Sequence, residues 1–89
     1  EYFAPTDGMV TALFGLYLHR RNELDGALEK YKEAEKKLGK TQYAELYYNR
    51  GLLHFDRGEY TEAQEYADKA YALNYQLPGL RRKLERLEN

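Results

Sequence analysis

Imidazole is the side chain that exchanges a proton most readily near neutral pH, and this chain holds it at His19 and His54 alone. A general base needs an orienting partner, and a helical metal site needs a second imidazole three or four residues away. Neither histidine has a second imidazole at that spacing. Both therefore read as solvent-edge or half-buried structural residues. Glu29, Glu33 and Glu35 alternate with Lys30, Lys32, Lys36 and Lys37, the pattern of a solvated helix face in which Glu33 and Lys37 form a favourable i,i+4 pair. Gly15 and Gly51 lack the Lys-Ser or Lys-Thr that follows a phosphate-binding loop. With no cysteine, thiolate chemistry, disulfides and zinc ribbons are excluded. No catalytic residue, cofactor or metal is expected, and the chain reads as a protein other than an enzyme.

The charges point away from polyanions as well. Charged residues make up 33% of the 89 positions but cancel to a formal net charge of −1, so no general attraction to nucleic acid follows. The local excess at Arg81, Arg82, Lys83 and Arg86 is interleaved with Glu85 and Glu88 and reads as the solvent face of a helix. The longest apolar stretch, Met9 to Leu18, is broken by Thr11 and Gly15 and falls short of the roughly 20 residues that span a bilayer. No membrane insertion is expected. A soluble chain in cytoplasm or periplasm fits equally, so localisation stays open. Glu1-Tyr2-Phe3-Ala4-Pro5, without an initiator methionine, reads as part of a longer protein. Ten tyrosines suit half-buried helix faces and binding surfaces alike.

What organises these residues is a repeat. Gly15 and Gly51, Ala27 and Ala63, and Ala34 and Ala70 are each separated by 36 residues, as are Arg21 and Arg57, Glu23 and Glu59, and Leu16 and Leu52. Small residues at matched positions copy a close helix approach as well as a composition. Pro5 and Pro78 lie outside the repeated segments, whose apolar residues step by three and four. The first hairpin is expected over 7–39, capped by Thr6 or Asp7 and turning at Arg20-Arg21-Asn22-Glu23. The second is expected over 43–75, turning at Asp56-Arg57-Gly58-Glu59, with Gly58 left-handed and Thr61 with Gln64 forming a capping box. Residues 1–6 form an N-terminal extension. Leu80, Leu84 and Leu87 mark one face of a final amphipathic helix over 78–89, with Pro78 in its first turn.

This pattern resembles the tetratricopeptide repeat. The second hairpin carries it as Tyr47, Arg50-Gly51 and His54, then Gly58-Glu59-Tyr60, Ala63 and Ala70. The first carries it as Thr11, Phe14-Gly15 and Leu18, then Leu24, Ala27, Tyr31 and Ala34. Arg50, His54 and Ala67 depart from the usual leucine, tyrosine and aromatic, and the closing proline is missing at Gly39 and Tyr75. The spacing of 36 exceeds the family's ~34. The resemblance implies an all-α fold of two tandem antiparallel hairpins in a right-handed α-solenoid, closed by a C-terminal capping helix. Leu87 stands where a third glycine would fall, in keeping with a cap.

The resemblance also implies a scaffold that binds a protein or peptide partner on a concave wall made by the first helix of each hairpin. Transferred onto this chain, that wall is Met9, Ala12, Leu13, Leu16, His19 and Arg20, with Glu45, Tyr48, Asn49, Leu52, Phe55 and Asp56. It is more apolar than charged. Ala12 and Leu16 stand where a grip on a peptide's terminal carboxylate needs Lys and Asn, so an apolar or amphipathic partner is expected instead. The alternative is a structural role, in which Tyr2, Phe3 and the flank of the first hairpin stack on further repeats or on a second copy in a homo-oligomer.

Overall fold

The computed structural model describes residues 6–87. Tyr2 and Phe3 therefore lie outside the described residues. Within them the chain forms α1 (Asp7–Arg20), α2 (Leu24–Leu38), α3 (Ala44–Asp56), α4 (Tyr60–Ala72) and α5 (Gly79–Leu87). The fold is all-α. It divides into two compact units, Glu1–Gln42 and Tyr43–Asn89. In the first, α1 packs on α2; in the second, α3 packs on α4 and α5 rests on both.

Local chemistry sets the helix ends. The Thr6 hydroxyl accepts from the Met9 amide at 3.2 Å, satisfying one of the orphan donors of α1. Both hairpin turns close in the same way. After α1 the Asn22 amide donates to His19 O at 2.9 Å and Glu23 to Leu18 O at 2.9 Å; after α3 Gly58 donates to Phe55 O at 3.0 Å and Glu59 to His54 O at 2.8 Å. This is the Schellman closure, which needs a left-handed residue, and Asn22 (φ 63°) and Gly58 (φ 80°) supply it at matched repeat positions. Asn74 (φ 64°) ends α4 likewise.

The expected capping box does not form. The N-cap of α4 is Glu59, without a side-chain cap bond, which puts Thr61 inside the first turn, and Gln64 donates to Asp68 instead. Glu59's carboxylate is drawn toward His54 and Arg57, so the chain enters the helix two residues early. Pro78 stands one place before α5 and its carbonyl accepts from the Arg82 amide at 2.9 Å.

In each hairpin a helical glycine lets the packing close. A Cβ on Gly15 would stand 2.7 Å from the Tyr31 ring, and a Cβ on Gly51 would collide with Leu80. Tyr31, Ala27 and Ala34 are fully buried in the first hairpin. In the second, Ala63, Ala67 and Ala70 form the core with Tyr48, Leu80 and Leu84.

Candidate functional site

The twelve residues of the expected wall fall on two helices, six on α1 and six on α3. Along α1, Ala12 is buried, Met9, Leu16 and His19 are half-buried, and Arg20 is exposed. Leu13 is 54% exposed. It does not stand alone, because Val10, Phe14 and Tyr17 are 50%, 49% and 56% exposed. These four positions follow i, i+3, i+4, i+7 and make one apolar ridge along α1. The reason is compositional: α1 is apolar on several sides, so packing on α2 leaves a second apolar face uncovered.

The six on α3 have a different fate. Tyr48 is 7% exposed and belongs to the core, while Leu52 and Phe55 are half-buried against it. Glu45 and Asn49 are half-buried and Asp56 is exposed. What reaches Tyr48, Phe55 and Asp56 is α5. Lys83 Nζ lies 4.0 Å from Asp56 and 5.4 Å from the Phe55 ring centre.

Two tyrosine hydroxyls cap α5. The Tyr48 hydroxyl faces the start of α5: burial raises its phenol above the usual value, and the backbone of Leu80 and Gly79 opposes that push. Tyr71 donates to Leu77 O at 2.7 Å and accepts from the Arg81 amide at 3.2 Å. The orphan donors of a helix start are thereby met by side chains of α3 and α4, and part of the tyrosine excess finds its use. Arg81, read from sequence as part of a solvent face, lies over the Tyr71 ring at 4.1 Å.

His54 is a correction to the half-buried reading, at 5% exposure. Its Nδ1 lies 2.7 Å from Glu59 Oε1, and Arg50 Nε donates to its Nε2 at 3.2 Å. Since Nε2 accepts, the proton sits on Nδ1 and is donated to Glu59. Tyr66 stacks on the ring at 5.5 Å, with the Arg50 guanidinium 4.5 Å from the Tyr66 centre. Both nitrogens serve the hairpin turn, and the His54 bond, followed by Arg57, holds the Glu59 carboxyl below the usual carboxylate range. The repeat explains why this network was missed: Arg50 and His54 replace residues that are apolar in the first hairpin, Phe14 and Leu18, so only a contact map pairs them with Glu59.

The first hairpin has its own polar clasp. Lys37 reaches Glu33 at 3.1 Å, Asp7 at 3.2 Å and the Thr11 hydroxyl at 3.0 Å, joining α2 to α1. Glu33, then Asp7, raise the Lys37 value.

Among the described residues no group of three His, Asp or Glu is arranged to hold a metal ion, and no helix is long and apolar enough to cross a membrane. Residues 44–77 match the family model described as tetratricopeptide repeat. No curated protein and no solved structure matches the chain.

Proposed function

From the tetratricopeptide repeat matched at residues 44–77, we propose that the chain captures an apolar or amphipathic partner segment through the open side of α1. Repeats of this family mediate protein–protein interaction and are themselves non-catalytic. The observation that carries the proposal is the exposure of Leu13 at 54% beside half-buried Met9 and Leu16. Apolar area covered by a partner contributes roughly 25 cal/mol per Å² before the costs of association are met. The α3 half of the expected wall contributes less, because Tyr48, Leu52 and Phe55 already share a core with Leu80 and Leu84. The partner segment thus leans on the first hairpin.

Amide NMR of the chain during addition of synthetic amphipathic Leu/Lys helical peptides tests this. Shifts are expected at Met9, Leu13 and Leu16, with Leu13→Glu weakening the peptide by more than about tenfold. Shifts confined to α4 and α5, or none, would remove α1 from the reading.

A second reading, a segment of an assembly, is favoured by Val10, Phe14 and Tyr17, the three exposed apolar residues that stand beside Leu13. The ridge of Val10, Leu13, Phe14 and Tyr17 is more apolar than a solvent-facing helix surface needs to be.

A further inference from the structure

The large apolar side chains that stay exposed among the described residues gather in two places. Val10, Leu13, Phe14 and Tyr17 form the ridge on α1; Tyr60 and Leu87, 46% and 47% exposed, flank a groove between α4 and α5, leaving only Leu77 elsewhere. The groove comprises an apolar part of about 480 Å³ lined by Tyr60, Leu84 and Leu87 and an adjoining part of about 300 Å³ reaching Ala67 and Tyr71. Leu84 and Gln64 line both.

The repeat register shows that the ridge is not an ordinary solvent face. The positions of Val10, Leu13 and Phe14 recur, 36 and 72 residues on, as Leu46, Asn49 and Arg50 in α3 and as Arg82, Glu85 and Arg86 in α5. In α5, where Arg82, Glu85 and Arg86 are exposed, the register is fully charged. In α3 Leu46 is 1% exposed. An apolar residue at this register goes with burial and a charged one with water, and α1 carries the apolar set while exposed.

Charge selects the occupant. The ridge is edged by cations: Lys30 Nζ lies 5.1 Å from the Phe14 ring centre and the Arg21 guanidinium 5.6 Å from that of Tyr17. The groove is edged by three carboxylates, Glu65, Asp68 and Glu85, against one guanidinium, Arg81, so its edge carries an acidic excess. Lys30 and Arg21 are paired with Glu33 and Glu23 at 3.4 Å and 2.8 Å, but exposed pairs of this kind are weak and exchange partners readily. An apolar ridge with a basic edge matches an apolar groove with an acidic edge, and both are present on every copy of the chain.

We propose that the α4–α5 groove is a docking site for the α1 ridge of a second copy of this chain, giving head-to-tail association. The inference rests on the second, assembly reading of function. The contact is heterologous: each copy offers one ridge and one groove, so a chain of contacts grows until a ring closes or the ends stay open. One helix in one groove is a small interface, so the association is weak and concentration-dependent.

Sedimentation equilibrium of the 89-residue chain up to millimolar concentration tests it. The weight-average mass of the wild type is expected to climb beyond that of a monomer. Phe14→Glu kills the ridge and Leu87→Glu kills the groove; each variant alone stays monomeric, its dissociation constant raised more than about tenfold. Mixed in equal amounts, they recover a dimer and stop there, because one intact ridge and one intact groove remain. Circular dichroism establishes that each variant is helical, and Val10→Glu and Tyr60→Glu replace either one that is not. A mixture that stays monomeric overturns the proposal, as does a Leu87→Glu chain that associates like wild type, which would signal ridge-to-ridge pairing. If the wild type remains monomeric while amphipathic peptides still shift Leu13 and Leu16, self-docking fails and the partner-binding reading survives. If neither occurs, both fall.

Discussion

The two hairpins solve one packing problem with different parts. In the first, Gly15 is covered by the Tyr31 ring from the facing helix; in the second, the position matching Tyr31 is Ala67, and Leu80 of α5 covers Gly51 instead. An internal aromatic makes the first glycine site complete within two helices. The second needs a third helix, which is why α5 is part of that unit. A matched exchange occurs nearby: Lys30 lies over Phe14 in the first hairpin, whereas Arg50 lies over Tyr66 in the second, so cation and ring trade helices at the same two repeat positions. What the repeat preserves is the contact, and the residue types redistribute around it.

The largest test of this difference is Leu80→Ala. Leu80 is fully buried, and its loss should cost about 2–5 kcal/mol, measured by urea unfolding. Hydrogen-exchange protection should collapse in α3, α4 and α5. Equal loss in α1 and α2 would make the first hairpin as dependent on α5 as the second.

Next come the glycines. Gly15→Ala sets a Cβ against a rigid ring, whereas Gly51→Ala meets the end of a flexible leucine. Overpacking costs about 1–3 kcal/mol, offset by up to about 1 kcal/mol of helix propensity. Gly15→Ala should therefore be the more damaging in thermal melts, and the reverse order would refute the assignment of Tyr31 as the stiffer cover.

The tyrosines give a smaller contrast of sign. Tyr31 is fully buried with a hydroxyl that finds no hydrogen-bond partner, and burial pushes that phenol well upward. Tyr48 spends its hydroxyl on the start of α5. Tyr48→Phe should cost about 1 kcal/mol, while Tyr31→Phe should be neutral or gain up to about 1 kcal/mol. Chemical denaturation of both variants would show whether one substitution carries opposite signs in the two hairpins.

The smallest effect is in pH. Glu59 is held low by His54 and then Arg57, so its contribution is complete above its unfolded value of about 4.3 and is lost as pH falls through the lower folded value. Lys37 is held high by Glu33 and then Asp7, so its contribution is complete below about 10.4 and is lost as pH rises through the higher folded value. Glu33, lowered chiefly by Lys37, adds an acid limb to the first hairpin as well. Thermal midpoints across pH should lose part of the acid slope in Glu59→Gln and part of the alkaline slope in Lys37→Met.

Much of the fold was legible because its signals are local. The 36-residue register located both hairpins, and helix ends followed from Thr6 and Gly58, whose effects act over three or four residues. Asn22 carried the same turn as Gly58 but was hidden by its different side chain. Thr61 misled because a capping box competes with what else attracts the chain, here Glu59's bonds to His54 and Arg57. The interaction wall was legible only as a set of positions. Leu13 and Tyr48 both look like anchors in sequence, yet one is 54% exposed and the other 7%.

That division has a physical cause. By itself the sequence determined the repeat, the helices, the turns and the apolar or polar character of each face, because these depend on backbone geometry and on neighbours a few residues away. Only the tertiary structure decided that α5 rests on Tyr48 and Phe55, that His54 is locked between Arg50 and Glu59, and that the ridge on α1 lies open. Burial is a property of what comes to lie against a side chain, and periodicity does not say which element that will be.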